Sequence, residues 1–230
     1  MKYDTKLKIG IITYDVPHKK TQNVVNGLIK KGYLNIRFII NKFKPFKKRN
    51  VLFDHRPNQI KGLNYSSFCK KYHFKSTSLN KVNCYSNLDL VLICGSGIIT
   101  NNKIERRLLI NCHSGLIPET RGLDSFKWAI YKNKLVGNTL HFIDHKPDLG
   151  KIISQSKTSL LQKDDLYLFS RRHYMEEINM LVNFEENIKN KNIIKLNKNK
   201  PTMRMPIKIE RKMIEKFDNW KSKFIKIQND

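Results

Sequence analysis

The sequence predicts an α/β protein: an open, mostly parallel sheet with helices on both faces and a helical C-terminal tail. Three observations carry this. Leu7–Thr13, Lys19–Lys31 and Ile36–Ile40 run strand, helix, strand, and parallel strands need such a crossover. Leu88–Cys94 and Leu108–Ile110 are short apolar runs that end in turn signals, the pattern of buried strands. Polar residues follow the second run directly, at the strand end where a Rossmann-like sheet binds its ligands.

Each element has a local reason. Val24, Val25, Leu28 and Ile29 form the apolar stripe of the first helix, and Gly32 sits where its C-terminal cap belongs. Pro57 is expected to open a further helix. Asp124 is expected to cap a helix that carries Phe126, Trp128, Ala129 and Ile130 and runs to about Lys132. Thr139–Ile143 and Lys151–Ser154 read as strands, with Asp148 in the loop between them. Leu160 to about Ile188 is mostly helical, capped by Asp164 or Asp165, with Arg171-Arg172-His173 expected on a solvated face. A basic helix follows Pro201 and runs to about Ile227. The division expected is one domain over residues 1–200 and a basic, mainly helical extension over 201–230.

Bulk properties narrow the classes. A chain of 230 residues with 40% hydrophobic residues can bury a core, which excludes wholesale disorder. No apolar run approaches the roughly 18 residues of a membrane span, and the start MKYDTKLKIG lacks a signal-peptide stretch. A cytoplasmic protein without a membrane partner is expected. The net charge of +26 suits an anionic partner, either a nucleotide ligand or nucleic acid. It equally suits compositional bias, since Lys and Asn are abundant throughout. The four cysteines form no C-x-x-C pair, so they are expected reduced and buried rather than on zinc. His141 and His145 are four apart on a strand and its end, so no metal site is expected.

The chemistry concentrates in residues 111–155. Asn111 and His113 are two apart at a strand end, so they share one face, and Cys112 takes the other. Asp148 follows in a Pro147-Asp148-Leu149-Gly150 turn. One Asn, one His and one Asp, each beside a strand and a turn, make an acid–base site.

This stretch resembles the formyltransferase family that uses 10-formyltetrahydrofolate. The family pattern is roughly N-x-H-P-S-L-L-P, an Arg-Gly turn, G-x-T-x-H and D-x-G. The matches are Asn111, His113, Leu116, Pro118, Arg121-Gly122, Gly137, Thr139, His141, Asp148 and Gly150, strongest over about residues 85–155. Ser114-Gly115 stands where the family usually has Pro-Ser. The resemblance implies the formyltransferase fold, with its catalytic domain over residues 1–200. It implies oxyanion donation by Asn111, acid–base work and oxyanion donation by His113, and orientation or proton acceptance by Asp148. It implies a folate pocket lined by Gly95, Ser96, Gly97, Ile98, Pro147 and His141.

The acceptor amine is narrowed by what the resemblance lacks. The first turn, Tyr14-Asp15-Val16-Pro17-His18, has no Gly-rich phosphate cradle of the glycinamide ribonucleotide type. The tail reads helical, unlike the β-barrel of methionyl-tRNA formyltransferases. An amino sugar on a nucleotide carrier is the acceptor expected, with Tyr14, Asp15, His55 and Arg56 lining its side of the crevice. The alternatives are a glycinamide ribonucleotide or methionyl-tRNA type of enzyme, and a basic nucleic-acid-binding protein on the same fold. A homodimer stays open.

Overall fold

The computed structural model describes residues 3–45, 50–97, 99, 109–144, 148, 150–189 and 200–229. The chain runs β1 (Ile9–Tyr14), α1 (Lys19–Lys30), β2 (Ile36–Asn41), α2 (Tyr65–Tyr72), β3 (Lys75–Ser78), β4 (Leu90–Ile93) and β5 (Leu109–His113). It continues with α3 (Ser125–Tyr131), β6 (Gly137–Phe142), β7 (Ile152–Lys157), α4 (Leu166–Val182), α5 (Phe184–Lys189) and α6 (Ile207–Asn229). One seven-stranded sheet has the order β3-β2-β1-β4-β5-β6-β7. Strands β1 to β5 are mutually parallel, and β6 and β7 are antiparallel to their neighbours. The sheet order reverses direction between β1 and β4, so their C-terminal ends open a crevice there.

The buried faces follow from the sequence. Ile9, Ile11, Phe38, Leu92, Ile110 and Leu140 pack against Val24, Val25 and Leu28 of α1 and Ile178 and Leu181 of α4. On the other face Ile12, Ile39, Val91, Ile93 and Leu109 meet Leu79 and Cys84. A further apolar cluster joins Phe126, Ala129 and Ile130 of α3 to Phe169 of α4 and to Met213, Phe217, Trp220 and Phe224 of α6. Among the described residues, no helix is long and apolar enough to cross a membrane. All four cysteines are free, and three of them are buried.

Several expectations are corrected. Pro57 opens no helix: Asn58 follows it at φ 61, and α2 starts only at Tyr65, where the Asn64 side chain accepts from Ser66 N at 3.1 Å. Strand β3, Lys-Ser-Thr-Ser, has no apolar alternation to mark it; it is an edge strand held to β2 by backbone pairing. Asp124 does not cap α3 through its side chain. It sits at φ 51, and its carboxylate instead accepts from Met205 N and Arg204 Nη1, each at 2.9 Å. The region 160–188 holds two helices rather than one, with Asp165 capping α4 through Leu168 N at 2.7 Å. The Arg171-Arg172-His173 face is not solvated as a unit. Arg172 is tied to Asp164, and His173 is buried.

Helix α6 is fastened by Trp220, which is 3% exposed and donates to Lys134 O at 3.0 Å. Trp220→Ala removes a large buried ring, so it should cost about 3–5 kcal/mol. Urea unfolding of the full chain checks this; a loss below about 1 kcal/mol would mean that α6 adds little to the core.

Candidate active site

Strands β4 and β5 are parallel neighbours, and Asn111 sits in register with Ile93 at their common end. Alternation puts Asn111 and His113 on one face. Cys112 points the other way, with its Sγ 4.0 Å from Met180 Sδ on α4. Strand β6 runs back alongside β5 and sets His141 opposite Asn111.

His141 is 1% exposed. Its Nδ1 lies 2.9 Å from the Phe142 carbonyl oxygen, which only accepts, so Nδ1 carries the proton. Nε2 is then a lone pair, and it accepts from the Asn111 amide nitrogen at 3.4 Å. Burial pushes His141 down to about 4, against the opposing pull of Asp148, so the ring stays neutral. An amide nitrogen has two hydrogens. His141 holds one and leaves the other for a second acceptor. His141 is expected against the folate; what it touches here is the side chain of Asn111.

His113 is held at one nitrogen. Nε2 lies 2.9 Å from the Thr120 carbonyl oxygen and 3.1 Å from Ser125 Oγ. Ser125 gives its own proton to Gly122 O at 2.8 Å, so it too accepts from the ring. Nε2 is therefore a committed donor, and Nδ1 is the nitrogen left for chemistry. Asp148 Oδ1 lies 3.5 Å from Nδ1 and 3.8 Å from His141 Nε2, while Asp148 Oδ2 accepts from Gly122 N at 3.3 Å. The fold thus gathers one amide, one imidazole and one carboxylate at the end of β5. Protonated at Nδ1, His113 and the free Asn111 hydrogen are two donors for an oxygen that gains negative charge.

The loop after β4 abuts the first turn. Gly95 is required there, since a Cβ would meet the Tyr14 ring at 2.6 Å and His18 Cε1 at 2.9 Å. At Gly97 a Cβ would meet nothing within 4 Å, so that part of the loop borders open space. Ser96 donates to Gly97 O at 2.8 Å and takes Asn41 Nδ2 on its carbonyl at 2.6 Å. Ile98 and Pro147 lie outside the described residues.

The other expected residues have separate sets of contacts. Tyr14 packs edge-on against His18 and Phe43, with centroids at 5.3 and 5.1 Å. Asp15 is exposed and accepts from Phe43 N at 2.7 Å. His55 stacks on Phe126 at 5.6 Å, with planes 2° apart. Arg56 pairs with Glu177, a fully buried carboxylate of α4 that also binds Lys20 Nζ at 2.6 Å. Burial would raise the Glu177 carboxyl, but Arg56 and Lys20 outweigh it and hold it below the usual range. Sequence reading missed Glu177, Lys20, His173 and Thr202. Glu177 had a signal: it stands in the apolar stripe of Tyr174, Ile178 and Leu181. Lys20 and Thr202 had none, because their partners are distant in sequence.

The start of α1 is closed by the chain itself. His18 precedes the helix and makes no side-chain cap bond. Lys19 N donates to Gln59 O at 2.8 Å and His18 N points to Leu63 O at 3.5 Å. Gly62 lies so near that a Cβ would meet Lys19 Cα at 3.3 Å. The helix N-terminus, a ready anion site in general, is covered by the segment 58–63.

Comparison with known proteins gives the family and the fold. The family model described as formyl transferase matches residues 45–184. Phosphoribosylglycinamide formyltransferase of Haemophilus influenzae is 29% identical over 83 residues, covering 34% of this chain and 39% of that protein. The chain therefore spans well under half of that curated relative's length. The N-formyltransferase of Helicobacter canadensis, solved with folinic acid and dTDP-3-aminofucose, superposes with a TM-score of 0.58 at 19% identity, covering 83% of this chain and 68% of that one. Phosphoribosylglycinamide formyltransferase of Anaplasma phagocytophilum gives 0.54 at 19% identity, covering 76% and 82%. At such identity these structures establish the shared fold.

The buried histidines predict an acid-sensitive fold. Burial holds His141 and His18 down to about 4 and His173 down to about 3. Each ring stays neutral in the folded chain but takes up a proton in the unfolded chain below about pH 6.5. Stability should therefore be full above about pH 6.5 and fall as the pH drops toward 4. Urea midpoints at pH 7, 5.5 and 4.5 measure the fall. His173→Asn should make the profile flatter; an unchanged slope would show that His173 is not a contributor.

Proposed function

Because the chain belongs to the formyl transferase family, we propose that it moves a formyl group from 10-formyltetrahydrofolate to the amino group of a nucleotide-linked amino sugar. One observation carries the reaction: Asn111, His113 and Asp148 converge at the end of β5, with His141 holding the Asn111 amide. The donor set fits a formyl oxygen. Bound there, the folate would supply a formyl carbon: the amine nitrogen bonds to it, its oxygen takes up negative charge, and as that charge collapses the carbon–N10 bond breaks and tetrahydrofolate leaves with the proton that the amine gave up. The Asn111 hydrogen not held by His141 donates to that oxygen. His113, fixed through Nε2 by Thr120 and Ser125, donates from Nδ1. Asp148 Oδ1, 3.5 Å from Nδ1, faces the same point and accepts the proton that the amine must lose, directly or through water, for passage to N10. Gly97 borders open space after β4, where the folate is placed in this reading.

The closed start of α1 supports an amino-sugar acceptor over a glycinamide ribonucleotide. A ribonucleotide phosphate at that turn would compete with the carbonyl of Gln59 for the helix N–H groups. The complex of the Helicobacter canadensis neighbour with an amino-sugar nucleotide supports the same reading. Tyr14, Asp15, His55 and Arg56 are assigned to the acceptor side. Arg56 lies close enough to His18 to help depress that ring, so its charge reaches the first turn.

The test is a panel of nucleotide-linked amino sugars with 10-formyltetrahydrofolate, scored by the mass gain of one formyl group. Asn111→Ala and His113→Ala should each lower kcat by about two orders of magnitude or more with the fold kept. Near-normal turnover in His113→Ala would overturn its assignment, and no product with any amine would overturn the transfer. Arg56→Ala should raise the acceptor KM and leave folate affinity nearly unchanged. Equal losses for both substrates would place the acceptor elsewhere.

A further inference from the structure

The catalytic His113 and Asp148 are not fixed by their own strands alone. A single loop, residues 120–125, holds both: Thr120 O and Ser125 Oγ take His113 Nε2, and Gly122 N holds Asp148 Oδ2. That loop meets the sheet at His113, the last residue of β5. Its anchor comes from about eighty residues further along the chain. Gly122 forms an isolated bridge with Thr202. Thr202 N donates to Arg121 O at 2.7 Å, and Leu123 N donates to Thr202 O at 2.8 Å. The Thr202 hydroxyl lies 2.9 Å from Arg121 O and 2.8 Å from Leu123 O. Arg204 and Met205 N then hold Asp124, at 2.9 Å each. Gly122 sits at φ 101, and a Cβ there would meet Thr202 O at 2.4 Å, so the two segments lie backbone against backbone.

We infer that Thr202 and Arg204 are positioning residues for His113 and Asp148, so that the segment after Pro201 is a working part of the active site. This rests on the catalytic roles proposed above for those two residues. The physical reason is that a loop must be rigid to fix an imidazole to a few tenths of an ångström, and a misplacement of about 1 Å can cost about a hundredfold in rate. Residues 120–125 bind the catalytic groups from one side and need a second body behind them. The backbone pairing with Thr202 and the two bonds to Asp124 supply it.

The experiment uses the full chain and three variants, Thr202→Val, Thr202→Ser and Arg204→Gln. Thr202→Val should lower kcat roughly ten- to a hundredfold with both KM values within about twofold. Thr202→Ser, which keeps the hydroxyl, should restore it. Nitrogen-15 NMR of His113, recorded without substrates, should show Nε2 protonated in the neutral wild-type ring and a mixture of tautomers in Thr202→Val. Arg204→Gln changes a half-exposed pair and covers the case in which Thr202→Val does not fold; it should lower kcat about threefold and move the His113 signals the same way. Unchanged His113 signals and unchanged kcat in the folded variants would overturn the proposal, as would a kcat loss that Thr202→Ser fails to rescue. Because the NMR arm needs no substrate, a wild-type chain that forms no product would count against formyl transfer and leave this inference to be judged on the ring.

Discussion

Glu177 is a carboxylate with no exposed surface, and much of the crevice is arranged around keeping it charged. An ion taken out of water needs close opposite charge and hydrogen bonds, or it protonates instead. Lys20 from the start of α1 and Arg56 from the loop after β2 provide both. The pairing therefore pulls residues 51–63 down onto α1. The segment 58–63 lies over the helix start, where Gln59 O takes the Lys19 N–H and Leu63 O faces the His18 N–H. One buried charge on α4 thus ties the loop after β2 to the start of α1.

Neutral histidines do the complementary work on the catalytic side. His141 and His173 are both buried and both held neutral at ordinary pH. A neutral imidazole has one donor and one acceptor, so it can orient two partners at once. His141 fixes Asn111 against Phe142 O. His173 Nδ1 donates to Thr158 Oγ1 at 2.8 Å, whose own proton goes to Glu176, and Nε2 accepts from Ser114 Oγ at 2.7 Å. Ser114 stands where proline is usual in the sequence pattern, so its bond to α4 steadies the turn after His113 by a contact that proline cannot make. His113 differs from these two because Asp148 faces its open nitrogen.

The sheet and its site were legible in the sequence to different depths. Strands β1, β2, β4 and β5 are apolar on both faces, so their runs declare them. Helix α1 declares itself by its stripe. The pair Asn111 and His113 was legible because a strand places residues two apart on one face. Strand β3 was not legible, because an edge strand of Ser, Thr and Lys is held by backbone bonds that any side chain allows. The expected helix after Pro57 failed for a related reason. Proline permits a helix start without requiring one, and the charge on Glu177 held that loop elsewhere.

What the sequence determined by itself is local: strand and helix periods, turn residues, and the residue types able to stabilise a developing oxyanion. What the tertiary structure alone decided is which nitrogen of His113 is free, which carboxylates are charged in the interior, and what stands behind the loop that binds Asp148. Thr120, Ser125, Thr202 and Glu177 carry no signature of these tasks in their own neighbourhoods. Their roles come from partners distant along the chain, such as Arg121 for Thr202 and Arg56 for Glu177. Hydrogen bonds and ion pairs depend on distance in space, to within a few tenths of an ångström. Periodicity constrains only the separation along the chain, so those contacts are fixed when the sheet closes against α3, α4 and α6, and not before.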